Sequence, residues 1–203
     1  MSEHPTLSGE ELDYIRQLFS SQLIGNPLPI PAFKVDGGPL ANALLSRLGV
    51  HAELSLQAQL EHCRISFPLM LVEDELHGLQ LEMGAPSIYE EGEVLRPWRL
   101  TLRKPLALRQ ANGKSSHMRV LELAPGSLLL QADNGHPLPE QFDLWLALPG
   151  AESMPIQGQL IRRTDGNRAA YFLQLQHREH GERIRQFLFE QYRERHPQLQ
   201  ATG

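Results

Sequence analysis

Hydrophobic positions recur every three or four residues near the start of the chain and every second residue from Ala52 onward. The pattern therefore predicts helices first and strands afterwards. Ser8 is followed three residues later by Glu11, a capping-box arrangement, and Leu12, Ile15, Phe19 and Leu23 then share one helical face until Gly25. Pro27, Pro29 and Pro31 forbid continuation, so Asn26 to Pro31 reads as an extended connector. A second helix begins at Pro39, buries Leu40, Leu44, Leu45 and Leu48, and stops at Gly49.

Leu54, Leu56, Ala58 and Leu60 alternate with polar residues, and Ile65 to Val72 and Leu76 to Leu81 are two further strand-like runs. Glu73-Asp74-Glu75 and Gly84-Ala85-Pro86 are their turns, and a small antiparallel sheet is expected. Six more strands follow at Leu100 to Leu108, Met118 to Leu123, Ser127 to Gln131, Phe142 to Leu148, Ile156 to Arg162 and Ala170 to Leu175. Asn112-Gly113, Asn134-Gly135 and Asp165-Gly166 are read as hairpin turns between them. Closure into a barrel avoids long unpaired edges. A terminal helix over Glu182 to Arg195 places Ile184, Phe187, Leu188 and Tyr192 on one face before Pro197 ends it. Phe189 falls off that face and is a candidate for partner contact.

Charge changes this picture at one point. The net charge is −5, which argues against a general DNA or RNA binder. Yet Val50 to Leu95 carries nine acidic residues against Arg64 alone, whereas Arg96 to Arg119 holds seven basic residues and no acidic one. The switch at Leu95/Arg96 marks a domain boundary and a local anion site. Cys63 is the only cysteine, so neither an intrachain disulfide nor a cysteine-based zinc site is expected. The N-terminus lacks the pattern of a signal peptide and no apolar run matches a membrane span, so a cytoplasmic protein without membrane insertion is expected.

Arg96-Pro97-Trp98-Arg99-Leu100 enters the first strand, Val120-Leu121-Glu122-Leu123-Ala124-Pro125-Gly126-Ser127 follows, and then come the hairpin-rich barrel and the arginine-flanked Ile184-Arg185-Gln186-Phe187-Leu188. In this order of parts residues 96 to 196 resemble a PilZ domain. The middle segment is similar, by strand pattern and position, to the small barrel preceding PilZ in flagellar-brake proteins. The resemblance implies a mainly β protein of two small antiparallel β-barrels, an N-terminal split-barrel-like one and a C-terminal six-stranded one, with helices at both ends. The expected divisions are 1–31 helix and connector, 32–95 PilZ-associated β domain, 96–196 PilZ domain and 197–203 tail.

The family binds cyclic-di-GMP through Arg-x-x-x-Arg and Asp-x-Ser-x-x-Gly motifs. Guanidinium groups fork to phosphate or guanine and stack on its ring, and glycine permits close backbone approach or a positive φ. Arg99 occupies the second arginine position, and the first is Leu95, with Arg96 one step late. Glu122 stands where the family has Asp, Ala124 where it has Ser and Ser127 where it has Gly, with Gly126 one position early. Losing a serine hydrogen bond alone weakens binding about tenfold. Arg103 and Lys104 lie close enough in sequence to compensate, and by alternation Arg99 and Arg103 face one side of a strand and Lys104 the other. The implied ligand set is Arg96, Arg99, Arg103, Lys104, Glu122, Gly126 and Ser127.

Two functions compete. One is a cyclic-di-GMP receptor that regulates motility or surface-associated behaviour such as biofilm formation. It would act on a protein partner of the flagellar, pilus or polysaccharide machinery, as a monomer or homodimer. The other is an adaptor of the same fold that has lost the nucleotide; a flavin-type split barrel in the middle segment is a third, weaker option. His177 and His180 read as a polar turn rather than a metal pair, and Trp98 as an anchor at the junction rather than a base-stacking group. No phosphate loop, nucleophile elbow or His-Glu-x-x-His is present, so neither an enzyme nor a cofactor is expected.

Overall fold

The computed structural model describes residues 32–34, 47, 53–60, 63–73 and 79–197. The helix expected from Ser8 to Gly25 and the proline connector lie outside these residues. So does the second expected helix, except for Arg47, which is helical. The chain divides into two compact units: one takes Leu69–Gly84 with segments from both chain ends, the other Ser55–Pro68 and Ala85–Tyr192.

In the first unit, β1 (Ala32–Lys34) pairs antiparallel with β4 (Leu79–Met83), which also pairs with residues 69–73 of β3 (Cys63–Glu73). Of the expected Leu76 to Leu81 strand, residues 76–78 lie outside the described residues, and the strand runs on to Met83. β3 also pairs with β2 (Leu54–Leu60), and its start, Cys63–Ser66, pairs with β5 (Ser87–Glu90), which in turn pairs with β6 (Arg96–Pro97). Alternation is strict at the start of β3. Cys63, Ile65 and Phe67 are buried while Arg64 and Ser66 are not.

The remaining six strands are β7 (Leu100–Arg109), β8 (Ser115–Ala124), β9 (Ser127–Ala132), β10 (Gln141–Leu146), β11 (Met154–Thr164) and β12 (Arg168–Gln174). They form a closed antiparallel ring in the order β10-β11-β12-β9-β8-β7, with β7 returning to β10 through Leu108↔Leu146. Its interior is filled by fully buried Leu100, Leu108, Val120, Leu130, Leu146, Met154, Ile156 and Tyr171. Tyr171 remains satisfied there because its hydroxyl donates to Pro139 O at 2.6 Å. Phe142 lies across from Gly158 and at 5.1 Å from Tyr171, and a Cβ on Gly158 would stand 2.2 Å from the Phe142 ring. The glycine is there because the ring occupies its side-chain space.

Two of the three expected turns close hairpins. Gly113 takes φ 81° between β7 and β8, and Gly166 and Asn167 take 73° and 56° between β11 and β12. Asn134-Gly135 does not: it lies in a 3-10 turn over Asp133–Gly135 on the connection from β9 to β10, which are not neighbours in the ring. The dipeptide supplies a positive φ, 71° at Gly135, without a hairpin around it.

The helix α1 (Arg178–Arg195) starts four residues before the expected Glu182 and buries Gly181, Ile184, Leu188, Phe189 and Tyr192. Phe189 is 5% exposed and meets Phe67 edge-on at 6.2 Å, so it is a packing residue rather than a partner contact. Tyr192 packs edge-on against Trp98 at 5.0 Å and donates to Cys63 Sγ at 3.0 Å. Glu182 accepts from Ala85 N at 2.8 Å and from Arg185 at 2.6 Å, while Arg185 Nε donates to Ala85 O at 3.2 Å. These contacts satisfy both backbone groups of Ala85 from one helical turn.

Candidate functional site

Trp98 and Leu100 fix Arg99. The indole is buried against Tyr192, the leucine lies inside the barrel, and the intervening side chain must point to solvent. Upstream, Arg96 pairs with Glu90 in the β5–β6 ladder and Trp98 N donates to Ile88 O at 2.9 Å. Thus Arg96 and Arg99 leave an anchored backbone with exposed side chains. Downstream, Leu100 pairs with Leu123 and Thr101 with Glu122, which sets Arg99 at the level of the β8–β9 hairpin. Ala124 pairs with Ser127, so Pro125 and Gly126 form its two-residue turn.

Arg103 and Lys104 lie elsewhere than alternation implies. After Thr101↔Glu122 the next pair is Leu106↔Val120, so β7 carries more residues over this stretch than β8 and loops out. Both side chains are exposed on that bulge, so the two-faced assignment is corrected. The Arg103-Lys104-Pro105 run was the available signal: two adjacent charges break alternation, and a proline cannot donate to a ladder.

The candidate residues therefore form two groups. Arg99 directly precedes Leu100, whose partner Leu123 lies between Glu122 and the turn that carries Gly126 to Ser127, while Arg96 lies on β6 and Arg103 and Lys104 on the bulge. Arg96, Arg99, Arg103, Lys104 and Glu122 make no side-chain hydrogen bond or ion pair with another described residue. Four exposed cations, none paired with another described residue, concentrate positive charge at this end of the barrel. Ala124, which offers no hydroxyl, is 3% exposed. Gly126 has no positive φ, and a Cβ there would meet nothing within 4 Å, so its backbone does not require glycine. Its carbonyl accepts from Leu173 N at 2.9 Å, tying the turn to β12.

Trp98 is 8% exposed and unavailable for stacking. His177 and His180 sit edge-on at 5.2 Å, and no group of three or more metal-ligating residues exists among the described residues. Burial pushes the His180 imidazole below its ordinary value, His177 and Arg183 add to that, and Glu179 opposes it. No described helix is long and apolar enough to cross a membrane.

Sequence reasoning missed the outward side chains of β11 and β12. Phe172 is 50% exposed and Ile161 58% exposed, and Phe172 lies directly across from Ser127. The signal was the unbroken Tyr171-Phe172-Leu173 run, because in a strand one of three consecutive apolar residues must face the other way.

No protein-family model and no curated protein matches the chain. Among solved structures it is similar to the Bacillus subtilis inhibitor of motility MotI/DgrA, at 12% identity over 66% of this chain and 68% of that one, with a TM-score of 0.39. MrkH of K. pneumonia in complex with c-di-GMP matches at 14% identity over 73% and 74% of the two chains, TM-score 0.41. YcgR of Escherichia coli in complex with c-di-GMP matches at 12% over 93% and 92%, TM-score 0.40.

Proposed function

We propose that residues 96–196 are a PilZ-type receptor module, with residues 32–95 as its companion β domain, and that it binds cyclic-di-GMP at the entrance to β7. The observation that carries this reading is the set of exposed cations Arg96, Arg99, Arg103 and Lys104, none paired with another described residue, with Arg99 next to Leu100, the partner of Leu123 in the Glu122 to Ser127 hairpin. Arg99 forks to a phosphate or to guanine, Arg103 and Lys104 supply diffuse attraction from the bulge, and Glu122 and Ser127 offer acceptors and a hydroxyl to the base. Bound nucleotide then favours one arrangement of the protein over another and so alters its contact with a protein partner of a motility or surface-attachment system.

Isothermal titration of the purified chain with cyclic-di-GMP tests this. Saturable heat, with affinity that falls by at least about tenfold in Arg99→Ala, is the expected result; no heat and no thermal stabilisation at high micromolar ligand refutes it. The second reading, an adaptor that works without nucleotide, draws on the buried Ala124 and on Leu95, which offer no polar group at two positions of the resembled motifs. It predicts partner capture indifferent to both cyclic-di-GMP and Arg99→Ala.

A further inference from the structure

Arg99 sits in a two-residue gap between β6, which ends at Pro97, and β7, which begins at Leu100. β6 is only Arg96 and Pro97, and a proline cannot donate to a ladder, so β6 by itself holds the gap weakly. On the far side Leu100 is locked in the barrel interior. On the near side Trp98 N donates to Ile88 O at 2.9 Å, and the Trp98 indole is buried. The indole makes no hydrogen bond with another described residue, so packing rather than a polar bond fixes the ring. Tyr192 meets that ring edge-on, at 5.0 Å between centroids and 87° between planes. The tyrosine is itself held: its hydroxyl donates to the buried Cys63 Sγ at 3.0 Å on β3. One turn earlier Phe189 packs on Phe67 of the same strand, and Glu182 and Arg185 grip Ala85 just before β5. The helix is therefore fastened to β3 and to the approach to β5, and Ile88 of β5, paired with Ile65, is the residue that accepts from Trp98.

We propose that Tyr192 is a positioning residue for Arg99: its ring seats Trp98, and the seated indole presets the backbone from which the Arg99 guanidinium reaches the nucleotide. The inference rests on the reading of the entrance to β7 as a cyclic-di-GMP site and adds to it a residue of the last turns of α1. Without the tyrosine ring the indole gains freedom, and the backbone of the Trp98–Arg99 gap gains conformations that binding must freeze out. Fixing the backbone of one residue on binding corresponds to about fivefold to thirtyfold in affinity. The ring, rather than the hydroxyl, does the positioning, because it is the ring edge that lies against the indole, while the hydroxyl points away from it to Cys63. Phenylalanine at 192 therefore keeps the function and an aliphatic side chain loses it.

The experiment titrates wild type, Tyr192→Leu, Tyr192→Phe and Leu188→Ala calorimetrically with cyclic-di-GMP, each below its own melting temperature. Leu188 is buried on the same helix, so Leu188→Ala loosens α1 while leaving the Tyr192 ring in place. Emission of Trp98 is read in the same four chains carrying Trp145→Phe, which leaves Trp98 as the sole tryptophan. The expected result is binding by wild type, about fivefold to thirtyfold weaker binding by Tyr192→Leu with Trp98 emission moved to longer wavelength, and affinity within about twofold of wild type for both Tyr192→Phe and Leu188→Ala with emission unmoved. If Tyr192→Leu does not fold, Tyr192→Met takes its place with the same expectation. If wild type binds but the aliphatic variant binds equally, or leaves Trp98 emission unmoved, or Leu188→Ala weakens binding as much, the positioning role is overturned and the receptor reading stands. If wild type binds nothing, both are overturned together.

Discussion

Replacing Gly158 with alanine tests how the barrel interior is packed. A Cβ at this position would lie 2.2 Å from Phe142 Cε1 and 2.3 Å from Cζ, whereas carbon atoms in contact settle at about 3.5–4.0 Å. The ring would have to retreat by more than about 1 Å. It is 9% exposed and already packs at 5.1 Å on the fully buried Tyr171, whose hydroxyl is committed to Pro139 O. Overpacking of this kind costs about 1–3 kcal/mol, partly offset by the roughly 0.5–1 kcal/mol that alanine regains over glycine within a strand. A net loss of about 1–2 kcal/mol corresponds to a melting temperature lower by about 2–8 °C in a chain of this size. Chemical denaturation, with coincident fluorescence and circular-dichroism transitions, gives the free energy. Adding Phe142→Leu should then cost less in the Gly158→Ala background than in wild type, because the two sites share one volume. A Gly158→Ala protein as stable as wild type, or additive double-mutant effects, would refute the packing argument.

Arg99→Ala removes a charged donor at an anchored position and should weaken cyclic-di-GMP binding by about 1.5–3 kcal/mol by calorimetry; Arg99→Lys should restore only part of it, since a fork is lost. Gly126→Ala should leave stability within about 0.5 kcal/mol, as neither φ nor space demands glycine, so any loss of affinity would report close approach of ligand to the turn. Burial raises the phenol pKa of Tyr171, with Arg163 opposing, and of Tyr192, where Cys63 and Glu90 add to the rise. Their folded values lie above the ordinary 10.0, so stability is intact below pH 10 and falls as pH rises beyond it. The slope is at most about 1.4 kcal/mol per pH unit for each tyrosine, and Tyr192→Phe should flatten it in alkaline melts. Glu182→Ala leaves Ala85 N–H and the Arg185 guanidinium without their shared acceptor and should lower stability by about 1–3 kcal/mol in denaturant titration.

The barrel strands were legible because over part of each an apolar residue is buried at every second position, as in Phe142, Leu144 and Leu146 of β10, and because Asn112-Gly113 and Asp165-Gly166 are hairpin chemistry. β5 was not. Ser87 to Glu90 spans too few residues to show a period, and Pro86 before it reads as a turn. β6 is shorter still and is defined by its partner rather than by its own residues. The backbone placement of Arg99 next to the Glu122 to Ser127 hairpin was legible because β7 and β8 keep simple register over Leu100↔Leu123 and Thr101↔Glu122. Arg103 and Lys104 were misplaced because a bulge destroys the parity on which facing was inferred. Phe189 was misassigned for a related reason: a single apolar stripe was assumed, whereas the helix buries adjacent residues Leu188 and Phe189.

The bulge in β7 has an engineering consequence. Because the ladder resumes at Leu106↔Val120 whatever lies between, the segment that carries Arg103 and Lys104 acts as an adjustable bracket on a rigid frame. Adding or removing a residue there would relocate two positive charges by about 3 Å per residue while every inward leucine keeps its place. A library of insertions and deletions within these few residues would sample different placements of the two charges without remaking the core.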